Sequence, residues 1–95
     1  DEIWQSNEIN AIVIAVPAEK HAIVAEAALN ADKHVFVEKP LALDVNQAIA
    51  LTKLASQKKR ILMVGHLLQY HPAFLKLQEI VHSGQLGELR YVYSH

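Results

Sequence analysis

Three short apolar runs, separated by segments of helical spacing, constrain the fold of this chain more than any other feature of its sequence. The runs occupy residues 11–16, 34–37 and 61–64. Uninterrupted apolar runs of this length are typical of strands that a parallel sheet buries on both faces. Helical connections between such strands favour right-handed crossovers. We therefore predict an α/β fold with a partial doubly wound, Rossmann-like parallel sheet.

Helix signals fill the two connections between these runs. Within residues 19–30 the apolar side chains recur at helical spacing, and Asn30 is the expected left-handed end of the helix. Asp44 is predicted to cap a second helix, since Gln47 follows three residues later in the pattern of a capping box. The apolar face predicted for this second helix comprises Val45, Ala48, Ile49, Thr52 and Ala55.

The alternation continues after the third run. Pro72 is predicted as the first residue of a third helix, which ends at Gly84. Residues 89–93 are rich in β-forming side chains and predict a strand that belongs to a different, more exposed sheet. A complete small α/β domain without a cofactor has the same order of elements, so the order alone leaves both interpretations open.

Composition and charge exclude several classes of protein. A net charge of −1 gives no electrostatic basis for binding nucleic acid or an anionic membrane, and no apolar stretch approaches the roughly 20 residues that span a bilayer. The absence of cysteine excludes a disulfide scaffold and fits a reducing compartment, so we expect a cytoplasmic protein. Ninety-five residues fall short of the usual size of a dinucleotide-binding enzyme, and a start at Asp1 suggests a fragment or processed piece.

The second apolar run ends in Glu38, Lys39 and Pro40. The carboxyl ends of strands in an open α/β sheet face the crevice that holds ligands. A lysine at that position is a candidate for proton transfer, because its amine is a flexible group that gains or loses a proton according to its surroundings. The alternative is that Glu38 and Lys39 are ordinary polar residues where a strand emerges and that Pro40 simply stops it.

Histidines lie near two of the predicted strand ends. His21, near the start of the first helix, either donates to an anionic ligand or faces solvent, and its spacing fits both. His66 and His71 are five residues apart, which differs from the four-residue spacing of a zinc-binding pair on a helix, so no metal site is predicted. Tyr70 offers an aromatic wall or a hydroxyl to a ligand, or else packs into a core.

Three segments of the sequence together resemble a known family. They are residues 15–21 (Ala-Val-Pro-Ala-Glu-Lys-His), residues 33–42 (Lys-His-Val-Phe-Val-Glu-Lys-Pro-Leu-Ala) and residues 64–73 (Val-Gly-His-Leu-Leu-Gln-Tyr-His-Pro-Ala). In this order they resemble the Gfo/Idh/MocA family of nicotinamide-dependent oxidoreductases, named after glucose–fructose oxidoreductase and inositol dehydrogenase. The sequence departs from the family pattern at Gln69, where many relatives carry arginine, and at Ala18, where asparagine is common.

The resemblance implies a longer, two-domain parent. Residues 1–87 would be the second half of its NAD(P)-binding Rossmann domain, and residues 88–95 would begin an α/β domain that binds substrate and mediates oligomers. The Gly-x-Gly-x-x-Gly turn would precede Asp1, and a second catalytic group would follow His95. The chain alone is therefore expected to be catalytically inactive.

The resemblance also implies roles for individual residues. Lys39 would lie beside the nicotinamide and the substrate hydroxyl and assist proton transfer, and the Lys39–Pro40 peptide is often cis in the family. The residues implied to bind the cofactor, NAD or NADP, are Val16, Pro17, Ala18, His21, Glu38, Lys39 and Pro40. The residues implied to bind the substrate are Lys39, His66, Tyr70 and His71.

The sequence is compatible with two functions. The first is a fragment of a homo-oligomeric dehydrogenase that transfers a hydride between nicotinamide and a hydroxyl of a sugar, sugar nucleotide or cyclitol. The alternative is a non-catalytic module, derived from such an enzyme, that works by binding or self-association. Half of a Rossmann sheet would favour the alternative, because it leaves strand edges and apolar faces uncovered.

Overall fold

The computed structural model describes residues 2–95, which form helices and strands in alternation. The strands are β1 (Ala11–Ile14), β2 (His34–Glu38) and β3 (Leu62–Gly65). The helices are α1 (Glu2–Gln5), α2 (His21–Asn30), α3 (Val45–Lys58) and α4 (Pro72–His82). Short 3-10 turns occupy Ala18–Lys20 and Leu67–Tyr70. The predicted alternation of strand and helix is thus confirmed as far as α4.

The three strands form one parallel sheet in the order β1-β2-β3. Ile14 pairs with Val37, which pairs with Val64, so the carboxyl ends of all three strands lie along one edge. This arrangement confirms the predicted α/β class and the parallel, Rossmann-like sheet. Among residues 2–95, no helix is both long enough and apolar enough to cross a membrane.

The core lies between one face of this sheet and the helices α2 and α3. The predicted apolar positions of α2 are all buried there, because their helical spacing turns them towards Val35 and Val37 of the central strand. The buried apolar residues are Ile14, Ala22, Ala25, Ala28, Leu29, Val35, Val37, Leu51 and Ala55.

Two local predictions are wrong. Of the face predicted for α3, Ala55 is buried as predicted, whereas Val45 and Ile49 are exposed. The other buried residue of α3 is Leu51, which lies outside the predicted face. The reason is that α3 packs against α2. The side of α3 that faces α2 is buried, and this side overlaps the predicted face only in part. The left-handed residue after α2 is Asp32 (φ 60°) rather than Asn30, which is still helical. A short polar side chain tolerates this conformation, so the left-handed position lies two residues beyond Asn30, the residue at which α2 ends.

The opposite face of the sheet is apolar and open within the described part of the chain. Val13, Phe36 and Met63 are aligned across the three strands, so their side chains project from the same face. Val13 is 72% exposed, Met63 is 41% exposed and Phe36 is partly buried. The sheet therefore has one covered face and one face with a row of accessible hydrophobic side chains.

Residues from His66 onward form a second compact unit, distinct from the unit that ends at Gly65. Within it, Pro72 is the first residue of α4 and Gly84 has a positive φ of 81°, as the two helix-boundary signals predict. The strand predicted at residues 89–93 is not formed. A strand needs a neighbour to pair with, and Tyr91 is 84% exposed instead.

Candidate functional site

The candidate site lies at the carboxyl edge of the sheet in the first unit. β1 ends at Ile14 and is followed by Val16 and Pro17, while β2 ends at Glu38 and is followed by Lys39. Because β1 and β2 are parallel neighbours, these two segments emerge side by side. In open α/β sheets this edge is where ligands bind.

Lys39 is exposed and Glu38 is partly buried at this edge. Glu38 is aligned with Gly65 of β3, and its Oε1 lies 3.5 Å from the position that a Cβ on Gly65 would occupy. The ring of Phe36 lies closer still, at 3.1 Å from that position. The missing side chain of Gly65 therefore leaves room for the Glu38 carboxylate at this edge of the sheet.

The Lys39–Pro40 peptide is cis, as the family resemblance implies. The Pro40 side chain is exposed, but its carbonyl oxygen points back into the protein and contacts the ring of His21. The chain after Lys39 is thus anchored by its backbone while the Lys39 side chain remains accessible.

His21 is only 2% exposed, so it does not face solvent. Its Nε2 lies 2.8 Å from the carbonyl oxygen of Val16 and its Nδ1 lies 2.6 Å from that of Pro40. Both ring nitrogens are therefore occupied by backbone carbonyls. Neither prediction for His21 included contacts with two backbone carbonyls. The available sequence signal was the position of His21 between Pro17, which follows a strand, and Ala22, which lies on the buried face of α2.

The structure places the remaining predicted cofactor residues along the same edge. Val16 and Pro17 are exposed, and Ala18 is partly buried at the start of the 3-10 turn that leads into α2. The Pro17 carbonyl oxygen accepts a hydrogen bond of 2.9 Å from the backbone N–H of Lys20, which fixes the start of this turn. Together these residues offer accessible apolar side chains on the segment that follows β1, next to the segment that carries Glu38 and Lys39.

The predicted substrate residues of the second unit are accessible. His66 and Tyr70 are exposed at the two ends of the 3-10 turn Leu67–Tyr70. His71 is the N-cap of α4, where its Nδ1 accepts a hydrogen bond of 3.1 Å from the backbone N–H of Ala73. This cap leaves Nε2 as the ring nitrogen that a ligand could use.

The comparisons with known proteins define the family. Residues 1–66 match the family described as Gfo/Idh/MocA, oxidoreductase family, NAD-binding Rossmann fold. The chain is 35% identical over 92 residues to inositol 2-dehydrogenase of Rhizobium meliloti, covering 97% of this chain and 28% of that protein. It is 38% identical over 72 residues to UDP-N-acetylglucosamine 3-dehydrogenase of Acidithiobacillus ferrooxidans, covering 76% of this chain and 23% of that protein.

A solved structure agrees with these sequence matches. The 3-ketoreductase KijD10 from Actinomadura kijaniata, crystallised with NADP and TDP-benzene, superimposes with a TM-score of 0.84 at 32% identity. The overlap covers 92% of this chain and 27% of the reductase. The chain belongs to the Gfo/Idh/MocA oxidoreductase family and spans about a quarter of the length of the relatives it matches.

The residues of the carboxyl edge fit one end of a nicotinamide dinucleotide. Lys39 supplies an amine, Glu38 supplies a hydrogen-bond acceptor, and Val16 and Pro17 supply an apolar wall. The pyrophosphate end requires a glycine turn that opens a helix, and the three glycines of this sequence stand at 65, 84 and 87, which does not form that motif. The side chains at the carboxyl edge are therefore compatible with the nicotinamide end of such a cofactor, and the glycine motif for its phosphate end is not among the 95 residues.

Proposed function

We propose that this chain acts as part of an NAD(P)-dependent dehydrogenase, in which it contributes the second half of the Rossmann domain. The observation that carries the proposal is the accessible Lys39 at the carboxyl end of the central strand, in a chain that belongs to an NAD-binding oxidoreductase family. On this proposal the Gly-rich turn and the remainder of the substrate domain come from other parts of the parent enzyme. Residues 1–87 then form the cofactor domain, and residues 88–95 begin the substrate domain.

The proposed reaction oxidises a secondary hydroxyl group to a ketone, or reverses that step. A nicotinamide bound at this edge would supply the acceptor for the hydride that leaves the carbinol carbon. Lys39 takes the hydroxyl proton on Nζ as the C–H bond breaks, so that the O–H electron pair becomes the second bond of the carbonyl. Such proton transfer by a positioned side chain contributes about 10²–10⁴-fold to rate.

The supporting residues divide the work of binding. Val16, Pro17, Ala18 and Glu38 line the nicotinamide end of the cofactor, and the Glu38 carboxylate accepts hydrogen bonds there. His66, Tyr70 and His71 contact the substrate through their exposed polar groups. His21 and Pro40 contribute to the same edge indirectly, because the contact of the His21 ring with the Pro40 carbonyl oxygen anchors the backbone next to Lys39.

The proposed substrates are polyhydroxylated rings: a sugar, a sugar nucleotide or a cyclitol. This class rests on the relatives, which include an inositol 2-dehydrogenase, a UDP-N-acetylglucosamine 3-dehydrogenase and a 3-ketoreductase. A neighbouring hydroxyl can hydrogen-bond to a histidine or tyrosine, which is the chemistry that His66, Tyr70 and His71 offer. We further propose that the parent enzyme is a cytoplasmic homo-oligomer.

The test is the substitution Lys39→Met in the parent enzyme, with Lys53→Met as the matched control. Lys53 is an exposed lysine on α3 and is not among the residues proposed to bind cofactor or substrate. We expect Lys39→Met to lower kcat by a factor of about 10² or more, because the side chain keeps its length but cannot accept a proton. The control is expected to change kcat less than twofold, and an unchanged rate in Lys39→Met would remove the assignment.

A second candidate function is self-association of the isolated chain. It is favoured by the open row formed by Val13, Phe36 and Met63 on the uncovered sheet face. Light scattering on the 95-residue chain tests it, with Met63→Lys as the variant that places a charge in the row. A dimer that dissociates on this substitution supports association through this face, and a monomer in both cases contradicts it.

A further inference from the structure

A buried histidine ties together the carboxyl ends of β1 and β2. His21 is the first residue of α2, and its ring contacts Val16, two residues beyond β1, and Pro40, two residues beyond β2. The distances are 2.8 Å to the Val16 carbonyl oxygen and 2.6 Å to the Pro40 carbonyl oxygen. One side chain therefore joins the two segments that emerge at the candidate site.

The chemistry of the two partners fixes the ring. A carbonyl oxygen only accepts hydrogen bonds, so a ring nitrogen of His21 must carry hydrogen to bond to one. A neutral imidazole carries one N–H and donates to one of the two carbonyls, whereas a protonated ring donates to both. Because the acceptors bind different nitrogens, the ring cannot turn about its axis without losing at least one of them. Its burial means that water does not replace a lost bond, and an unpaired buried polar group is costly.

Lys39 lies between two anchored residues. On its amino-terminal side Glu38 is paired with Gly65 in the sheet, and on its carboxyl-terminal side the Pro40 carbonyl is bound by His21. The Lys39 side chain itself is exposed, and no hydrogen bond or ion pair of its amine is seen among the described residues. The backbone position of Lys39 is thus determined by its neighbours.

We propose that His21 is the positioning residue for Lys39: through its contacts with the carbonyl oxygens of Val16 and Pro40 it holds the lysine at a fixed place relative to the cofactor surface at the end of β1. The inference rests on the proposed function, in which Lys39 transfers the proton. It gives His21 a role distinct from direct contact with the cofactor, since both ring nitrogens are already occupied. A displacement of about 1 Å at a reacting group costs on the order of 10²-fold in rate.

A double-mutant cycle in the parent enzyme separates positioning from general structural support. His21→Phe keeps a planar ring and removes both ring nitrogens, and Lys39→Met removes the proton acceptor. If His21 acts through Lys39, we expect His21→Phe to lower kcat about tenfold or more in the natural background and less than twofold in the Lys39→Met background. Residual rates of Lys39→Met are measured in single turnover at high enzyme concentration.

Two further variants make the cycle interpretable. His34 is the first residue of β2, the strand that leads to Lys39. Its Nδ1 accepts a hydrogen bond of 3.0 Å from the backbone N–H of Ile61. His34→Phe therefore disturbs a histidine-to-backbone bond at the far end of β2, about 16 Å from Lys39 at 3.3 Å per residue, and is expected to leave kcat within twofold. His21→Gln keeps one amide donor and is expected to retain more activity than His21→Phe, which keeps the test open if the Phe variant unfolds.

The outcomes are distinct. Loss of rate that is present in the natural background and absent in Lys39→Met supports the proposal. An equal loss in both backgrounds, or no loss in either, overturns the positioning role while leaving Lys39 as the proton-transfer residue. An unchanged rate in Lys39→Met alone overturns the proposed function and the positioning role with it.

Discussion

The two units of this chain differ in how much of their structure is supported by burial. The unit that ends at Gly65 has nine buried apolar residues between its sheet and its two longer helices. Between His66 and His95, all of which the structure describes, no residue is buried. Yet both units contain well-formed helices, α3 in the first and α4 in the second.

This difference separates local signals from packing. α4 begins at Pro72 with the His71 cap, and Gly84 follows its end, so short-range signals account for its bounds. Short isolated helices are marginal in water, and most helix stability in proteins comes from packing of an apolar face. The first unit has that packing within the described residues, and the second has local signals without it. Stability changes should therefore be large in the first unit and small in the second.

The largest contrast is expected from one substitution made in each unit. Leu29→Ala removes a side chain that is 0% exposed at the end of α2, whereas Leu77→Ala removes one that is 52% exposed on α4. The first change leaves a cavity and should lower the free energy of unfolding by about 3 kcal/mol. The second should change it by less than about 0.5 kcal/mol. Urea denaturation followed by circular dichroism measures both.

The same pair can contradict the comparison. A loss above about 2 kcal/mol for Leu77→Ala would mean that α4 is buried in solution and that the second unit has a packed core. Light scattering on the same samples would show whether association of chains provides that burial. A small effect of Leu29→Ala would instead mean that the α2 interface is loosely packed.

The sequence predicted the fold where periodicity and burial coincide. The three strands were recognised because each is a continuous apolar run, and α2 because its small residues recur on one face. The buried face of α3 was missed, since Val45 and Ile49 are as apolar as Leu51 and only the contact with α2 distinguishes them. A strand at residues 89–93 was predicted from composition alone, but a strand also requires a pairing partner.

The candidate site was predictable to a different extent. Lys39 could be singled out because a polar group directly follows a buried strand, which places it at the ligand-binding edge. The role of His21 could not be read from spacing, because its two partners are backbone carbonyls 5 and 19 residues away. A backbone acceptor has no sequence signature. For the same reason the space that Gly65 leaves for Glu38 follows only from strand register.

The next largest effect is expected at glycines of the two units. A Cβ at Gly65 would lie 3.1 Å from Cζ of Phe36, so Gly65→Ala forces the ring to shift and should cost about 1–2 kcal/mol in unfolding free energy. At Gly84 a Cβ meets nothing within 4 Å, but the φ of 81° disfavours alanine. Gly84→Ala should therefore raise amide exchange in the last turn of α4 without moving the urea midpoint.

A second substitution checks the cause of the Gly65 effect. Phe36→Leu shortens the side chain that the new methyl group would contact, so Gly65→Ala should cost less in that background than in the natural one. Equal costs in the two backgrounds would show that the backbone of β3, and not the Phe36 ring, sets the penalty.

Loss of a helix cap should lower the global stability of the first unit, whereas in the second it should affect only the amides next to the cap. Asp44 caps α3 by accepting a hydrogen bond of 2.7 Å from the Asn46 N–H, and His71 caps α4 in the same way. Asp44→Ala should lower global stability by about 1 kcal/mol, because α3 carries part of the core, and Asp44→Asn should restore most of it. His71→Ala should speed exchange of the first α4 amides and leave the urea midpoint unchanged.

The smallest effect is expected where the first unit is held by charge rather than by burial. The Lys58 amine lies 3.6 Å from the Asp32 carboxylate, a contact that joins the end of α3 to the turn after α2. Both side chains are accessible to solvent, so Lys58→Met should cost less than about 0.5 kcal/mol, and that cost should vanish at high salt. Asp32→Gly removes the same contact but also relieves the positive φ of 60°, so it should stabilise the chain relative to Lys58→Met. If urea denaturation shows that each variant lowers the free energy of unfolding by more than about 1 kcal/mol, the contact between Lys58 and Asp32 is shielded from water in solution. The packed core of the first unit would then include the turn after α2 and the end of α3, which would widen the contrast with the second unit.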